Sequence, residues 1–407
     1  MKTSVRKTRW IPAVVAALIV FGALIAAGPL RARQPVRIPV DLNQTLTNEL
    51  SDTVVLHSLD RQIRDYMQAW NLKGASLCIM RHDSLLYAKG YGVADKDTPM
   101  TPGTILRVAS VSKLITATGI MLLQECGLLT LDDRVFAPGG ALEEFSDVIQ
   151  DDRLHDITIR HLLMHEAGFT ARAGDPMFST RNLMKTYNWK TPPDSETLCR
   201  AILKRRLQFD PGTASEYSNF GYLLLSLVIE RVTGTPYEDW IQENVLKAAC
   251  CTDMHLAHNY YKEKYPNETR YYMQSNDKAV ECYDNSGVMV PRCYGGNDIP
   301  ALKGAGAWVT SVPELARFVA SIDGQDEGPD ILSRESIEAM TFTTDSVTYG
   351  LGWNDISEEG VWTRTGTFSG TSALIKNYPD GECWIMVTNT GTWRGPHFTK
   401  WTSSLFT

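Results

Sequence analysis

The chain has 407 residues, of which 43% are hydrophobic and 21% charged, so it is long and apolar enough to bury a substantial core. Its formal net charge of −7 argues against a nucleic-acid partner, because proteins that bind nucleic acids present a basic face. The sequence also has no glycine-rich phosphate loop and no low-complexity tract.

The N-terminal segment has the pattern of an export signal. An apolar run over residues 11–30 follows four basic residues, which are Lys2, Arg6, Lys7 and Arg9. By the positive-inside tendency, the chain beyond this run is delivered across the membrane. Small residues at 26–28 would suit a signal peptidase, yet the run is almost long enough to anchor the chain, so both fates stay open. We expect a signal or anchor segment over residues 1–34 and an exported domain over 35–407, periplasmic or membrane-anchored.

The first part of this domain has the pattern of a helix followed by a hairpin. Apolar residues recur at helical spacing at Leu56, Leu59, Ile63, Met67 and Trp70. Residues 74–80 and 85–91 then read as two strands joined at His82-Asp83.

Ser110 and Lys113 lie one helical turn apart at the start of a helical pattern. Residues three apart share a helix face, so the Lys113 amine can take the proton of Ser110 Oγ when that amine is neutral. Burial and a nearby cation would lower the lysine pKa enough. The same spacing at Ser4 to Lys7 and at Ser275 to Lys278 opens no apolar helix. After Ser110, helical spacing continues to a capping Gly127, through Leu114, Ile115, Thr118, Met121, Leu122 and Cys126.

Residues from about 114 to 256 are predicted to be mainly helical, with helix starts at Thr158, Ser195 and Thr235-Pro236. His161 and His165 have the spacing of a zinc protease, but Leu162 stands where that motif requires glutamate. We therefore expect no metal site, and we expect His165 to be a structural residue bonded to backbone groups.

Tyr217-Ser218-Asn219 follows an Asp-Pro-Gly turn and opens an apolar run over residues 220–232 that ends at Gly234. The pattern predicts a buried helix whose entrance directs a tyrosine and an asparagine into a cleft. The same spacing recurs at Tyr265 and Tyr283, so the triplet alone is not diagnostic.

A polar segment over residues 258–302 is predicted to form a long irregular loop beside the cleft, where substrate selectivity commonly resides. It contains Cys282 and Cys293, the best candidates for a disulfide in an exported chain. Cys78, Cys126 and Cys383 fall inside apolar runs and are predicted to be buried thiols.

The C-terminal part is predicted to be rich in strands, with a helix beginning at Ser311 and a short final helix from about residue 396. The strands are expected over residues 349–353, 361–364, 372–376 and 383–388. The second of these leads into the triplet Arg364-Thr365-Gly366. No other triplet in the chain has a basic residue followed by Thr-Gly. Strands at both ends of the chain predict one antiparallel sheet that is flanked by helices and carries an inserted all-helical subdomain. The predicted fold class is therefore α/β (α+β). The sheet part would cover about 50–113 and 303–407, and the helical part about 114–302.

In this order, the three motifs resemble the signature of the penicillin-recognising serine hydrolases. The Tyr-x-Asn form is similar to the branch of class C β-lactamases, D-Ala-D-Ala carboxypeptidases and family VIII esterases. Residues 162–168 also resemble that branch's Leu-Leu-x-His-x-Ser-Gly turn, with Ala167 in place of serine. Arg364 stands where its β-lactamases usually have lysine, and the class A Glu-x-x-Leu-Asn loop has no counterpart. The resemblance covers residues from about 59 to 390 and implies a β-lactamase/transpeptidase-like fold.

The resemblance also implies roles for the motif residues. Ser110 would form an acyl-enzyme, with Lys113 as the base and Tyr217 as the proton shuttle. Asn219 would hold the substrate's amide or carbonyl, while Arg364, Thr365 and Gly366 would bind a substrate carboxylate. The backbone N–H groups of Ser110 and Thr367 would form the oxyanion hole.

The expected partners are a small-molecule or peptide substrate, with cell-wall peptides among the candidates, and the membrane at the N-terminal segment. No cofactor is implied. A β-lactam, a D-Ala-D-Ala peptide, a D-amino-acid amide and a simple ester all stay open as substrates. Two other functions also stay open, a penicillin sensor that acylates without turnover and a non-catalytic, membrane-tethered interaction protein.

Overall fold

A computed structural model describes residues 40–52, 57–169, 174–274, 278–326, 328–344 and 348–391. The N-terminal segment expected over 1–34 and the helix expected from about 396 lie outside these ranges. Within these ranges, no helix combines the length and the hydropathy needed to cross a bilayer.

The helices fall into an N-terminal group, a large central group and two that return to the sheet. In chain order they are α1 (Leu42–Thr45), α2 (Asn48–Asp52), α3 (His57–Ala69), α4 (Ser112–Glu125), α5 (Ile159–Leu163), α6 (Thr180–Tyr187), α7 (Ser195–Ile202), α8 (Asn219–Thr233), α9 (Tyr237–Ile241), α10 (Val312–Val319) and α11 (Arg334–Thr341). Short 3-10 helices cover Ala109–Val111, Glu143–Val148, Asp152–Asp156, Pro176–Phe178, Tyr261–Glu263 and Pro300–Ala305.

The strands come mostly from the two ends of the described chain. They are β1 (Gly74–Arg81), β2 (Ser84–Asp95), β3 (Thr98–Pro99), β4 (Leu106–Arg107), β5 (His255–Leu256), β6 (Tyr272–Met273), β7 (Val280–Glu281), β8 (Met289–Val290), β9 (Trp308–Thr310), β10 (Asp355–Ile356), β11 (Trp362–Phe368), β12 (Thr371–Asn377), β13 (Glu382–Thr388) and β14 (Thr390–Gly391).

Seven strands form one antiparallel sheet in the order β10-β11-β12-β13-β1-β2-β3. The N-terminal hairpin therefore pairs with the C-terminal strands, and β1 meets β13 with Ala75 opposite Thr388. This arrangement confirms the predicted antiparallel sheet built from distant parts of the chain.

The two faces of the sheet pack against different helices. Alternate side chains of β1 point to opposite faces, so Leu77 and Ile79 pack with Ile63 of α3, while Cys78 and Met80 join the main core. That main core also contains α4, α8 and α10. The sheet is thus covered by helices on both faces, as predicted.

The long segment between the two sheet parts is not purely helical. It contains α4 to α9, but also four short strands, of which β6, β7 and β8 lie within the region predicted to be an irregular loop and β5 lies just before it. The strand β5 joins a small antiparallel sheet in the order β4-β9-β5. The proposed division into a sheet part and a helical part stays a prediction.

Two local predictions were wrong. Residues 349–353 form no strand, because Gly352 adopts a φ of +88° where the chain turns against Leu114 and Ala117 of α4. Cys126 is exposed, since it caps the end of α4. The disulfide left open between Cys282 and Cys293 is not formed. Both carry buried thiols, and Cys282 Sγ lies 3.4 Å from the Tyr260 hydroxyl.

Candidate active site

The turn that carries Ser110 connects β4 of the small sheet to the long helix α4. Ser110 lies in the 3-10 turn Ala109–Val111 and is followed directly by α4. Ala109 has a φ of +49°, a left-handed conformation that is uncommon for a residue with a Cβ atom. The turn therefore holds an unusual backbone conformation at the residue next to the serine, as often occurs at functional sites.

Lys113 is fully buried and directs its amine at Ser110. Lys113 Nζ lies 3.4 Å from Ser110 Oγ, 2.6 Å from Asn219 Oδ1 and 2.5 Å from the carbonyl oxygen of Ala305. Burial, followed by the positive charge of Arg364, holds the pKa of Lys113 well below its ordinary value of 10.5, whereas Asp175 opposes this shift.

The hydrogen-bond partners of Lys113 suit a general base. A neutral amine has two N–H donors and one lone pair. Asn219 Oδ1 and the Ala305 carbonyl can only accept from it, so they take both donors. The lone pair is then left to face Ser110 Oγ.

Tyr217 approaches the same hydroxyl from the helical side. Its hydroxyl donates to Ser110 Oγ at 2.7 Å, although the tyrosine as a whole is 38% exposed. Desolvation raises the pKa of Tyr217 to about 12, while Arg364 and the bond to Ser110 act in the opposite direction. Tyr217 is therefore a phenol at neutral pH and can donate a proton.

His165 holds the backbone on both sides of Tyr217. Its carbonyl accepts from Glu216 N at 3.0 Å, and its Nδ1 accepts from Ser218 N at 3.2 Å. The ring also packs on Tyr217, with centroids 4.6 Å apart. Nε2 is buried and has no hydrogen-bond partner among the described residues. The expectation of a histidine bonded to backbone groups is thus met at Nδ1 but not at Nε2.

Asn219 begins α8 and connects Lys113 to a carboxylate. Its Oδ1 accepts from Lys113, and its Nδ2 donates to Asp175 Oδ2 at 2.5 Å. An ammonium or amine donor on one side and a carboxylate on the other allow only this orientation of the amide. Ser218 caps the helix by accepting from Gly221 N at 3.2 Å.

Arg364 is fully buried beneath the serine. Its Nε and Nη2 both donate to the carbonyl oxygen of Ser110, at 2.8 and 2.5 Å. Its Nη1 is buried and has no hydrogen-bond partner in the described part of the chain. The guanidinium thus holds the backbone of the nucleophile, and its role toward a substrate carboxylate stays a prediction.

The other residues of the third motif lie along β11. Residues 364 and 366 share the face of β11 that meets the turn of Ser110. A Cβ at Gly366 would come within 2.2 Å of Val108 O and 2.9 Å of Ser110 N. On the other face, Thr365 donates through N and Oγ1 to Asn354 Oδ1, at 2.6 and 3.2 Å. Thr367 is exposed opposite Ser372.

The structure therefore brings Ser110, Lys113, Tyr217, Asn219 and Arg364 together in one site, with Gly366 packed against it. Sequence reasoning missed Asp175 as a member of this site. No local pattern identifies Asp175, because it starts an ordinary 3-10 turn in which its side chain accepts from Met177 N.

Comparison with known proteins places this geometry in a family. A curated relative, Protein flp of Staphylococcus aureus strain COL, is 25% identical over an alignment of 352 residues that covers 84% of this chain and 63% of that protein. The chain thus spans less than two thirds of that relative's length. The putative penicillin-binding protein PbpX of Bacillus subtilis is 28% identical over 81% of this chain and 73% of its own.

Two solved structures share the fold. A penicillin-binding protein homologue from Pyrococcus abyssi aligns with a TM-score of 0.63 and 24% identity over 87% of this chain and 77% of its own. The D-amino acid amidase from Ochrobactrum anthropi SV3 aligns with a TM-score of 0.65 and 21% identity over 86% and 96%. The model of the beta-lactamase family matches residues 59–405, and the chain therefore belongs to this family.

Proposed function

We propose that this chain is an exported serine hydrolase that forms an acyl-enzyme on Ser110. The proposal rests on the contact of Ser110 Oγ with two groups, one that can donate a proton and one that can accept a proton. A phenol lies at 2.7 Å, and a fully buried amine with a lowered pKa lies at 3.4 Å. Such a pair can remove one proton and deliver another at the same carbon centre.

In the first step, Ser110 Oγ forms a bond to the substrate carbonyl carbon while its proton passes to the lone pair of Lys113. Tyr217 then gives its phenolic proton to the departing nitrogen or oxygen as that bond breaks. The proton held by Lys113 then passes to the Tyr217 phenolate, whose ring lies 4.8 Å from Lys113 Nζ, and this step restores both the neutral amine and the phenol. Water attacks the acyl ester by the reverse route, so Lys113 and Tyr217 serve both halves of the reaction.

Backbone groups around the turn are proposed to stabilise the developing negative charge. The N–H groups of Ser110 and Thr367 would point at the carbonyl oxygen as it becomes an oxyanion. Arg364 supports this arrangement, since its hydrogen bonds to the Ser110 carbonyl fix the peptide that carries the nucleophile.

The bond cleaved is proposed to be an amide or ester. Fold neighbours include proteins described as a D-stereospecific amidohydrolase of a Streptomyces species and a D-amino acid amidase. Amides of D-amino acids therefore belong among the substrates to be tested, beside β-lactams, D-Ala-D-Ala peptides and simple esters.

Active-site labelling tests the proposal directly. A fluorophosphonate should add one group to Ser110, located by peptide mass spectrometry, and Ser110→Ala should remove it. Ser218 serves as the internal control, because it lies near the site but its hydroxyl caps α8. Labelling at Ser218, or equal labelling of Ser110→Ala, would reject Ser110 as the nucleophile.

Burst kinetics separate this function from a sensor. Since one curated relative is named as a penicillin-binding protein, acylation without turnover is the second candidate. A stoichiometric burst with no steady-state phase on esters, amides and penicillins would favour it. A steady state that exceeds one turnover per protein would favour the hydrolase.

Export is proposed from the basic and apolar leader alone, over residues 1–34. Expression of the full chain in a bacterial host, with fractionation and N-terminal sequencing, tests it. Recovery in the cytoplasm with an intact leader would contradict export.

A further inference from the structure

The backbone carbonyl that bonds Lys113 belongs to a tight turn beside the two site helices. Ala305 ends the 3-10 helix Pro300–Ala305, and its oxygen accepts from Lys113 Nζ at 2.5 Å. This carbonyl takes one of the two amine protons, so its position decides where the Lys113 lone pair points. The contacts that hold residues 303–306, which we call the acceptor turn, therefore bear on the base itself.

The acceptor turn begins with an unusual backbone conformation at Lys303. Its φ of +40° and ψ of −126° lie outside the helical region and are uncommon for a residue with a Cβ atom. The Lys303 carbonyl accepts from Gly306 N at 3.3 Å and from Ala307 N at 3.0 Å. Its side chain pairs with Glu230 of α8, with Nζ 2.6 Å from Oε1. Such a conformation persists only where the surrounding contacts enforce it.

Gly304, the next residue, is bonded by both helices. Its N–H donates to Ser226 Oγ on α8 at 3.0 Å, and its carbonyl accepts from Thr116 Oγ1 on α4 at 3.0 Å. A Cβ at Gly304 would come within 2.2 Å of Thr116 Oγ1 and 2.7 Å of Ser226 Oγ. The two hydroxyls thus fix the residue directly before Ala305 from opposite sides.

These two hydroxyls lie on the same helix faces as the side chains of the site. Thr116 follows Lys113 by three residues on α4, and Ser226 follows Asn219 by seven residues on α8. Both spacings place two residues on one face of a helix. All four residues are buried. Each helix therefore presents one side chain to the nucleophile and another, farther along the same face, to the acceptor turn.

The hydrogen bonds around Thr116 run in one direction. Trp308 Nε1 can only donate, so Tyr237 Oη accepts from it at 3.0 Å. Among the described residues, the acceptor left for the Tyr237 proton is Thr116 Oγ1, at 2.8 Å. Thr116 then donates to the Gly304 carbonyl at 3.0 Å, whereas the Ser112 carbonyl lies farther away, at 3.2 Å. This chain of donors is buried and ends at the acceptor turn.

We propose that Thr116 is a positioning residue for the base, because its hydroxyl fixes the turn that directs the Ala305 carbonyl at Lys113. Ser226 fixes the same turn from α8 and shares this role. If the turn relaxes, the carbonyl moves and the amine can rotate its lone pair away from Ser110. The role rests on the proposed function, since it concerns the proton transfer that activates the nucleophile.

Active-site labelling measures this role without knowledge of the natural substrate. Thr116→Val keeps the shape of the side chain but removes the hydroxyl. Its rate of fluorophosphonate labelling at Ser110 should fall by about 10- to 100-fold, as expected when a catalytic group is misplaced. On p-nitrophenyl acetate the loss should appear in kcat and not in KM. Thr116→Ser retains the hydroxyl and should recover most of both rates.

Thr118→Val is the matched control. Thr118 is fully buried on the same helix, and its hydroxyl donates to the Leu114 carbonyl at 2.9 Å, away from the acceptor turn. The control loses the same kind of group and should keep the wild-type rates. Tyr237→Phe removes the donor to Thr116 but leaves the bond from Thr116 to Gly304, so it should lower the rates less than Thr116→Val.

Thermal unfolding shows whether each variant is folded. If Thr116→Val does not fold, Ser226→Ala should show the same fall in labelling rate, because it frees the other side of Gly304. Wild-type rates in the folded variant would overturn the positioning role, as would an equal loss in Thr118→Val or no recovery in Thr116→Ser. Those results would leave the acyl-enzyme on Ser110 standing, whereas absence of labelling in the wild type would reject both.

Discussion

The guanidinium of Arg364 donates two hydrogen bonds to the backbone carbonyl of Ser110, the residue that carries the nucleophile. This contact joins the third sequence motif, which lies on β11, to the first motif, which lies in the turn before α4. A buried cation that is bonded to a neutral carbonyl keeps its full charge, and Lys113 lies close enough to respond to that charge. Arg364 can therefore affect the reaction in two ways, by fixing the serine and by favouring the neutral amine.

Substitution of Arg364 separates these two effects. Arg364→Met removes the charge, so the Lys113 pKa should rise and the acidic limb of the kcat/KM profile should move to higher pH. Arg364→Lys keeps a charge but cannot reproduce the two-pronged bond, so its acidic limb should stay near that of the wild type while kcat falls. An unchanged profile in Arg364→Met would reject the electrostatic role.

The same variants test whether Arg364 binds a substrate carboxylate. If it does, Arg364→Met should penalise substrates with a free carboxylate by about 2 to 5 kcal/mol relative to neutral esters when the pair is desolvated. The buried position of the guanidinium predicts instead an equal loss for both kinds of substrate. Steady-state kinetics on matched charged and neutral esters distinguish the two results.

Loss of either proton-transfer group, the Lys113 amine or the Tyr217 phenol, should lower the rate of turnover strongly. Lys113→Ala and Tyr217→Phe are expected to lower kcat by about 10² to 10⁴-fold, the usual range for the loss of a positioned acid or base. Thermal unfolding should show that Tyr217→Phe still folds, because it removes only the phenolic oxygen that reaches Ser110. Unchanged ester hydrolysis in either variant would exclude that residue from proton transfer.

The sequence predicted the parts of the site that are local. Ser110 lies in the 3-10 turn before α4 and Lys113 lies three residues later in the first turn of α4, while Asn219 opens a second helix with Ser218 as its cap. Spacing and capping rules were therefore sufficient. The short strand-like runs also predicted β11, β12 and β13, with each end within four residues of the observed one.

The remaining features depend on contacts between distant segments. Asp175 and Asn219 meet only because the turn Pro176–Phe178 folds over the entrance of α8, and no local pattern records that contact. Residues 349–353 alternate like a strand, yet Gly352 turns against Leu114 and Ala117 of α4, and Leu351 and Trp353 are buried in the main core. Likewise, β11 directs Arg364 toward a backbone carbonyl, which the identity of the residue alone cannot indicate.

His165 should make stability depend on pH. It is 2% exposed, and burial, followed by the positive charges of Lys113 and Arg364, holds its pKa well below the ordinary value of 6.5. Below pH 6.5 the unfolded chain binds a proton that the folded chain does not bind. The free energy of unfolding should therefore fall as the pH falls, by up to about 1.4 kcal/mol per pH unit from this group.

Urea unfolding at pH 7.5 and 5.5 measures this slope. His165→Asn should reduce it, since asparagine does not titrate, tolerates the left-handed backbone at φ +59° and can accept from Ser218 N. His57→Asn, at an exposed position in α3, is the control and should leave the slope unchanged. An equal slope in wild type and His165→Asn would show that His165 titrates normally.

Gly366 should tolerate no side chain, because the strand and the nucleophile turn are in direct contact there. A Cβ at this position would lie 2.2 Å from Val108 O and 2.9 Å from Ser110 N, and both are backbone atoms that cannot rotate away. Gly366→Ala must therefore push Ser110 away from Lys113 and Tyr217, and a shift of about 1 Å costs about 10²-fold in rate. Overpacking should also cost about 1 to 3 kcal/mol of stability.

Gly221→Ala is the matched control, since its Cβ would meet nothing closer than 3.5 Å and alanine favours the helix. Kinetics and thermal unfolding of the two variants provide the comparison, and wild-type rates in Gly366→Ala would mean that the turn can move without moving the nucleophile.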